Sequence, residues 1–412
     1  MKGRKKIIII GGGFAGLNLA KKLNNSHFDV LLIDKQNHHQ FQPLYYQVAS
    51  ARLEPSNISF PFRKIFQKSN NIQIRLAEVT KIVSIENKVI TNIGDFSYDY
   101  LVIASGCKTN FFGNEQISKN AFSMKTTEEA IDIRNHILLN FEKYISAQDH
   151  EKEALLNIVL VGAGPTGVEL AGAFAEMKKH ILPRDYPHID FSQLKVILLE
   201  GSKNTLNNMS EESKKASKKY LEELGVIIRT ETFVTNYDRV NALLNTGETI
   251  KTNTLIWAAG VTGNIIEGIN SENIVRNRYK VDRINKIIGT NNIYAIGDIA
   301  YMETPLYPNG HPQLANVAIN QGKNLATNLL NNKSQKEYEY KDLGSMATVG
   351  KYRAVVDLSF IKFQGFFAWY VWMFLHLMLI LSVRNKLSIF LNWAWSYIMK
   401  DSSLRLILKQ KK

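Results

Sequence analysis

The sequence contains little cysteine, and this scarcity excludes several kinds of chemistry. Among its 412 residues there is one cysteine, Cys107. A single chain therefore cannot form a disulfide framework, a CxxC redox pair or a cysteine-based metal site, and we predict no metal site at all. Because Cys107 follows a glycine at the end of a predicted strand, we expect a small buried residue there and not a nucleophile.

Long apolar runs are also scarce. Near the start, Ile7–Ile10 is shorter than the roughly 7–15 residues of a signal peptide's apolar region. We therefore predict a buried parallel strand there, and we expect the ligand-binding sites to face the cytoplasm of a bacterium. Near the end, Phe366–Leu381 contains fifteen apolar residues and one polar residue, His376. This run is short for a membrane-spanning helix, which needs about 20 apolar residues.

The net charge is +14 at pH 7, and its distribution indicates the partner. Residues 363–412 contain seven basic residues and one acidic residue, are rich in Trp and Phe, and lack any nucleic-acid-binding motif. We therefore predict a lipid bilayer surface as the partner, and no nucleic acid.

Within this C-terminal segment, apolar residues recur at helical spacing. The pattern predicts an amphipathic helix over Leu387–Met399 that lies in the lipid interface. The alternatives are a helix packed on the body of the protein, a helix in a homodimer interface, and a transmembrane span at Phe366–Leu381. The positions that form the apolar side are Leu387, Phe390, Leu391, Ala394, Trp395 and Ile398, and the opposite side carries Ser388, Asn392 and Ser396.

Two segments have the order strand, glycine turn, helix, strand. In the first, Lys6–Ile10 is followed by the turn Gly11–Gly16, a helix over Leu17–Asn24 and a strand ending at Asp34. The GxGxxG spacing allows a tight turn, close approach of a pyrophosphate, and close packing of helix on strand. Asp34 lies where a carboxylate binds the adenosine ribose, so the sequence predicts a dinucleotide site.

The second segment repeats this design. Asn157–Val161 is followed by the turn Gly162–Gly167, a helix over Val168–Lys179, and a strand over Leu194–Glu200. Glu200 lies 33 residues after Gly167, farther than the usual spacing of about 20, because Lys178–Gln193 is inserted. An acid at this position favours NADH, since it binds the ribose diol and repels the extra phosphate of NADPH.

These repeated units predict an α/β protein with two Rossmann-type domains, the second inserted in the first, followed by an amphipathic helical membrane-binding segment. The predicted domains are 1–118 with 257–345, 119–256, and the membrane-anchoring region 346–412. Two further strands support the first domain: one ends at Ala104-Ser105-Gly106 and the other at Gly297-Asp298. A carboxylate at Asp298 can accept a hydrogen bond from a ribityl hydroxyl.

With these motifs placed, the chain resembles the type II NADH:quinone oxidoreductases, the single-subunit, non-proton-pumping respiratory NADH dehydrogenases of the two-dinucleotide-binding flavoprotein superfamily. The resemblance covers essentially the whole chain. It depends on Phe41–Ala49 (FQPLYYQVA), Gly162–Gly172, Trp257–Val261 (WAAGV), Ala295–Asp298 (AIGD) and the basic-aromatic C-terminus. One departure concerns the quinone-side AQxAxQ motif, where this chain has Asn316 and Asn320.

The resemblance implies FAD at the first glycine turn, NADH at the second, and Glu169 as the catalytic acid near the nicotinamide and the quinone. A helix beginning near Pro312–Leu314 is expected to direct its amides at the flavin. The residues implied for FAD are Gly11, Gly13, Phe14, Ala15, Gly16, Asp34, Lys35, Gln42, Ala104, Ser105, Gly106, Gly297, Asp298, Leu314 and Ala315. Those implied for NADH are Gly162, Gly164, Pro165, Thr166, Gly167, Glu169, Glu200, Ala259 and Gly260, and those for the quinone are Tyr45, Gln47, Asn316 and Asn320.

The implied activity is hydride transfer from NADH to FAD and passage of two electrons to ubiquinone or menaquinone, on the cytoplasmic face of the bacterial inner membrane. The single cysteine excludes disulfide reductases and sulfide:quinone oxidoreductases, which need at least two. Two alternatives stay open. A ferredoxin- or rubredoxin-type reductase would not need the lipid-seeking C-terminus, and a redox-sensing flavoprotein would not turn over NADH steadily.

Overall fold

The protein is described here from a computed structural model, which describes residues 3–331, 334–399 and 404–407. The strands are β1 (Lys6–Ile10), β2 (Asp29–Asp34), β3 (His38–Gln40), β4 (Ser59–Pro61), β5 (Ile72–Leu76), β6 (Val79–Val83), β7 (Lys88–Thr91), β8 (Gly94–Ser97), β9 (Tyr100–Ile103), β10 (Cys107–Thr109), β11 (Asn157–Val161), β12 (Lys195–Leu199), β13 (Ile227–Arg229), β14 (Val234–Tyr237), β15 (Asn241–Leu244), β16 (Thr249–Lys251), β17 (Thr254–Trp257), β18 (Val261–Gly263), β19 (Ile274–Val275), β20 (Arg278–Val281), β21 (Ile293–Ala295), β22 (Ala300–Met302), β23 (Ser345–Thr348), β24 (Ala354–Asp357) and β25 (Lys362–Gly365).

The α-helices are α1 (Phe14–Leu23), α2 (Tyr45–Ala49), α3 (Phe62–Ile65), α4 (Glu115–Asn120), α5 (Thr127–Tyr144), α6 (Asp149–Leu156), α7 (Pro165–His180), α8 (Leu182–Asp185), α9 (Glu211–Glu223), α10 (Ala315–Leu330), α11 (Phe366–Leu379) and α12 (Val383–Met399). Short 3-10 turns lie at Gln42–Leu44, Pro55–Asn57, Ser84–Glu86, Phe191–Gln193, Ser271–Asn273 and Gly297–Ile299.

The chain forms two compact units. The first contains Met1–Gln40, Phe60–Lys108 and Val261–Lys341, and the second contains Phe41–Ser59, Thr109–Gly260 and Asp342–Lys412. The domain limits predicted from the sequence stay a prediction.

A parallel sheet with the strand order β21-β9-β1-β2-β5 organises the first unit. The isoleucines of β1 are buried on both faces of this sheet, as β-branched residues of a central parallel strand are expected to be. Because β2 pairs on one side of β1 and β9 on the other, the strand order reverses at the end of β1. Ligands bind at this position in open α/β sheets.

The second unit has a parallel sheet with the order β13-β12-β11-β17. Its strand order likewise reverses at the end of β11, so the second glycine turn has the same topological position as the first. The unit also contains the antiparallel sheet β23-β24-β25, which leads into α11 and α12.

The predicted boundaries need some correction. α1 begins at Phe14 and α7 at Pro165, three residues earlier than predicted in both cases, because each helix begins within its glycine motif. α10 begins at Ala315, just after the predicted Pro312–Leu314, and α12 begins at Val383 instead of Leu387. None of the helices in the described ranges is long and apolar enough to cross a membrane.

Candidate functional site

The first glycine turn has two close contacts and one open position. Gly11 has a φ of +100°, and a Cβ atom there would collide with the carbonyl oxygen of Ala104. A Cβ atom on Gly16 would collide with the carbonyl oxygen of Gly11, whereas at Gly13 it would meet nothing within 4 Å. The N-cap of α1 is Gly13, which makes no side-chain cap hydrogen bond, and no acidic residue lies in the first turn, so the helix N-terminus suits a pyrophosphate.

Asp34 lies at the end of β2 and holds this turn in place. One carboxylate oxygen accepts the N–H of Gly12 at 2.6 Å, and the other accepts the N–H of Gln36 at 2.7 Å. Burial raises the pKa of Asp34, and the two amide hydrogen bonds partly oppose that rise. The neighbouring Lys35 points to the surface, where it pairs with Glu78 at 2.5 Å.

The second glycine turn has the same geometry. Gly162 has a φ of +99°, and its Cβ position lies 2.8 Å from the Cα atom of Ala259, so that a side chain is excluded. A Cβ atom on Gly167 would collide with the carbonyl oxygen of Gly162, and the space at Gly164 is again open. Pro165 begins α7, where its missing N–H costs nothing.

Glu200, just after β12, repeats the role of Asp34. Its carboxylate accepts the N–H of Ala163 at 2.6 Å and the N–H of Ser202 at 2.8 Å. The turn and its acid therefore form a second dinucleotide cradle with the same parts in the same order. Gly260, which follows Ala259, has a φ of +85°.

The other residues predicted for FAD occupy varied environments. Ser105 Oγ donates to the carbonyl oxygen of Asn264 at 2.8 Å, and Gly106 has a φ of +66° with open space at its Cβ position. Leu314 is 43% exposed at the N-cap of α10. Gln42 is exposed and belongs to the second unit, unlike the other residues predicted for FAD.

The turn at Gly297-Asp298 is supported by residues that the sequence did not indicate. The N–H of Gly297 donates to Gln321 Oε1 at 2.7 Å, and Gln313 Nε2 donates to the carbonyl oxygen of Asp298 at 2.9 Å. Cys107 is half-buried instead of buried, and its thiol donates to Asp298 Oδ2 at 3.0 Å. No signal in the sequence links these distant positions.

The two asparagines of the altered quinone-side motif lie one turn apart on α10 and contact each other. Asn320 Nδ2 donates to Asn316 Oδ1 at 2.7 Å, and both residues are half-buried. Shortening both side chains relative to glutamine thus gives a bonded pair of amides on one side of the helix.

Glu169 is a buried acid on α7. Its side chain lies among buried residues, 9% exposed, and burial raises the pKa of Glu169 to about 8. The N–H of Thr348 donates to Glu169 Oε1 at 3.4 Å. At neutral pH this carboxyl group therefore holds a proton in much of the population, which suits a group that receives and delivers protons.

A cavity lies within the second unit, close to the predicted quinone residues on α2. It is lined in part by Tyr46, Gln47, Arg52, Thr348, Lys351 and Trp393. Arg52 pairs with the buried Glu176 at 3.1 Å, so its charge is balanced. Tyr45, next to this cavity in sequence, is buried, which raises the pKa of its hydroxyl.

The helix α12 packs within the second unit through a mixed side. Ile389 and Trp393 are buried there, Asn385 Nδ2 donates to the carbonyl oxygen of Asn57 at 2.9 Å, and Ser388 Oγ donates to Asn57 Oδ1 at 3.0 Å. Its apolar side is exposed, with Leu391 at 56% and Trp395 at 62%.

The comparisons with known proteins agree with this geometry. Residues 5–322 match the pyridine nucleotide-disulphide oxidoreductase family, and residues 343–400 match the NDH2 C-terminal domain. A type II NADH:quinone oxidoreductase of Mycobacterium tuberculosis is 33% identical over 418 residues, which cover 96% of this chain and 88% of the mycobacterial protein. This chain belongs to the type II NADH:quinone oxidoreductase family.

Other members of the family are similar along most of the chain. A type II NADH:quinone oxidoreductase of Staphylococcus aureus is 29% identical and covers 85% of this chain and 89% of its own length. The fold matches a structure of NDH2 from Plasmodium falciparum in complex with NADH, with a TM-score of 0.89 and 23% identity over 98% of this chain and 100% of that chain. The predicted family, fold class and class of enzyme are confirmed.

Proposed function

We propose that this protein oxidises NADH and reduces a membrane quinone through bound FAD, as a respiratory enzyme that does not pump protons. The observation that carries the proposal is the pair of glycine turns, each closed by a carboxylate that accepts a backbone N–H at 2.6 Å. The chain has two dinucleotide cradles and one cysteine. This combination suits electron transfer from NADH through a flavin to an acceptor that needs no pair of thiols on the protein.

The first cradle fits FAD. FAD, when bound, accepts a hydride from NADH and passes the two electrons to the quinone. The backbone of Gly11–Gly16 and the N-terminus of α1 hold the pyrophosphate, in the space left open at Gly13. Asp34 binds the ribose hydroxyls, and Asp298, oriented by Gln313 and Cys107, accepts a hydrogen bond from the ribityl chain.

The second cradle fits NADH. The pyrophosphate lies against Gly162–Gly167 and the N-terminus of α7, in the space left open at Gly164. Glu200 binds the ribose diol and repels a 2′-phosphate, which gives NADH preference over NADPH. Glu169, on the same helix, holds the proton that accompanies electron transfer to the quinone.

The quinone residues proposed from the sequence are Asn316 and Asn320 on α10 in the first unit, and Tyr45 and Gln47 on α2 in the second unit. The bonded pair Asn316–Asn320 offers one amide group to a quinone carbonyl oxygen. Tyr45 and Gln47 both lie on α2, and Gln47 lines the cavity of the second unit.

The C-terminal helices bind a lipid bilayer, which gives the enzyme access to a lipid-dissolved quinone. On α11 and α12 the exposed apolar side chains include Phe366, Phe367, Tyr370, Phe374 and Trp395, and Arg384 beside them is exposed. Such a surface suits the interface of an anionic membrane, with aromatic rings at headgroup depth and cations on phosphates. We place it on the cytoplasmic face of the bacterial inner membrane.

The decisive experiment is NADH oxidation by the purified, FAD-loaded protein with ubiquinone and menaquinone analogues, with NADPH in parallel. We expect a yellow protein that turns over NADH with a quinone and prefers NADH to NADPH. A colourless protein that cannot take up FAD would exclude the proposal. A redox sensor would show no steady turnover, and a carrier reductase would keep its activity with a soluble carrier after deletion of residues 363–412.

A further inference from the structure

A chain of hydrogen bonds runs through the second unit from the C-terminal helix α12 to the helix α7. Trp393 Nε1 donates to Gln47 Oε1 at 2.8 Å, and Gln47 Nε2 donates to the hydroxyl of Tyr46 at 3.0 Å. That hydroxyl lies 3.1 Å from Thr348 Oγ1, and the N–H of Thr348 donates to Glu169 Oε1 at 3.4 Å.

Every member of this chain is buried, with exposures from 2% for Thr348 to 9% for Glu169. The three links from Trp393 to Thr348 Oγ1 have ordinary lengths of 2.8–3.1 Å, whereas the link from the N–H of Thr348 to Glu169 is longer at 3.4 Å. A buried donor or acceptor that loses its partner is costly. Gln47 lies at the centre, because its amide oxygen binds the C-terminal helix and its amide nitrogen binds Tyr46. A displacement of Gln47 would therefore break one of these hydrogen bonds or shift the neighbour that makes it.

We propose that Gln47 is a positioning residue that transmits the seating of α12 to Thr348, and through Thr348 to the carboxyl group of Glu169. Correct seating of the membrane-facing helix thereby sets the rate of quinone reduction. This inference rests on the proposed function, because it assigns Glu169 to the quinone half-reaction.

The contacts of α12 explain why a bilayer would favour the seated position. The helix is held on its polar side by Asn385, by Ser388, and by Lys351 Nζ, which donates to the carbonyl oxygen of Ser396 at 2.7 Å. Its other side carries exposed Leu391 and Trp395, which are unfavourable in water and favourable in lipid. Lipid that covers this side therefore stabilises the helix in the orientation that lets Trp393 reach Gln47.

The two buried tryptophans of the C-terminal segment provide a matched pair of variants. Trp393 and Trp372 are 4% and 1% exposed, and their ring centroids lie 6.0 Å apart. Trp393 Nε1 binds Gln47, whereas Trp372 Nε1 has no hydrogen-bond partner among the described residues. Trp393→Phe and Trp372→Phe thus remove the same atoms from one core, and only the first breaks the chain of hydrogen bonds.

The two half-reactions are measured separately by stopped flow on the FAD-loaded protein: flavin reduction by NADH, and reoxidation by a short-chain quinone. We expect Trp393→Phe to slow reoxidation about tenfold, which corresponds to about 1.4 kcal/mol of activation free energy, with no change in reduction by NADH. Trp372→Phe removes the same atoms without stranding a buried acceptor, so it should lower the melting temperature no more than Trp393→Phe does and leave both rates unchanged. Equal slowing in the two variants, or none in Trp393→Phe, would overturn the inference.

Two further comparisons separate a transmitted effect from a general loss of stability. If the residues act as one chain, the double variant Gln47→Met with Trp393→Phe reoxidises no more slowly than the slower single variant. Fold-changes that multiply would contradict the inference.

Vesicles of phosphatidylglycerol provide the second comparison. They should accelerate reoxidation of the parent protein by the short-chain quinone and leave the rate of Trp393→Phe unchanged. Equal acceleration of both proteins, or of neither, would contradict the inference. Failure of the proposed function would instead appear as no quinone reduction by the parent protein.

Discussion

Burial makes Glu169 a carboxyl group whose charge state changes near neutral pH. The pKa of Glu169 rises from its ordinary value near 4.5 to about 8 in the folded protein. A group that binds protons more tightly when folded loses its stabilising contribution as the pH rises from about 4.5 to about 8. The contribution of Glu169 to stability should therefore fall over this range, against the opposite contribution of the buried histidines below about pH 6.5.

The variant Glu169→Gln, which cannot ionise, should show a smaller fall in melting temperature between pH 6 and pH 8.5 than the parent, together with slower quinone reduction. Glu176 on the same helix is the control, because it pairs with Arg52 at 3.1 Å. Glu176→Gln leaves the buried charge of Arg52 without an opposite charge, so it should lower the melting temperature throughout this pH range. Parallel melting curves for Glu169→Gln and the parent would contradict the assignment.

Glu200 provides a second test at the scale of one residue, because its charge opposes a 2′-phosphate. In Glu200→Gln the repulsion is removed while a side-chain oxygen can still accept the N–H of Ala163. We expect the ratio of kcat/KM for NADPH to that for NADH to rise by about tenfold, equivalent to about 1.4 kcal/mol. The KM for quinone should not change. An unchanged ratio would show that another group selects the nucleotide.

At the scale of elements, the glycines of the second turn divide into two kinds. Gly167 has no room for a Cβ atom, because it would collide with the carbonyl oxygen of Gly162, whereas Gly164 has open space and a φ of −70°. Gly167→Ala should lower the melting temperature. Gly164→Ala should leave stability unchanged and raise the KM for NADH about tenfold or more, because its methyl group enters the space of the pyrophosphate. An unchanged KM in Gly164→Ala would mean that the nucleotide binds elsewhere.

The exposed apolar side of α12 predicts how the protein binds vesicles. Leu391→Glu places a charge on this side and should weaken binding to phosphatidylglycerol vesicles at least about tenfold, since a buried leucine contributes about 1.5–3 kcal/mol. Leu306→Glu is the control, because Leu306 is 70% exposed but lies in the first unit. Sedimentation with vesicles measures both. Equal binding of the two variants, or a homodimer in solution that covers this side, would contradict the proposed orientation.

At the scale of the whole molecule, three histidines indicate how the fold responds to acid. Burial lowers the pKa of His39, His136 and His376 to about 4. Each has a ring nitrogen within 3.0 Å of a backbone carbonyl oxygen, which requires a proton on that nitrogen. Burial outweighs this hydrogen bond and keeps the ring neutral near pH 7. Because the folded protein binds fewer protons than the unfolded chain, stability should fall as the pH drops from about 6.5 to about 4.

The midpoint of urea unfolding measures this effect. In the parent, the midpoint should fall between pH 7 and pH 4.5. In His136→Gln it should fall less, because the glutamine side chain does not titrate. The amide nitrogen of this glutamine can replace the ring Nε2, which lies 2.8 Å from the carbonyl oxygen of Asn253. The same decrease in variant and parent would show that His136 does not contribute.

Much of the fold could be predicted because its signals are local in sequence. These signals are the four isoleucines of β1, the two glycine turns and the acids that close the turns, and each lies within about 40 residues of its partner. The family, the fold class and the pair of nucleotides that they predicted are confirmed. The spacing in Leu387–Met399 likewise predicted α12. The roles of individual site residues stay predictions.

Other features could not be read from the sequence, because they join residues that are far apart along the chain. Gln47 binds Trp393, 346 positions away, and Cys107 binds Asp298, 191 positions away. No periodicity or motif relates such pairs. The burial of Glu169 also depends on packing of α7 against the strand β23, which is far from it along the chain.

The sequence by itself determined the two nucleotide cradles and the helical pattern of the C-terminus, because backbone geometry and side-chain periodicity act over a few residues. Only the tertiary structure decided which groups surround those parts: the neutral carboxyl group, the chain of hydrogen bonds beneath α12, and the outward orientation of its apolar side. The physical reason is that desolvation and hydrogen-bond partners depend on atoms that folding brings together from distant parts of the chain.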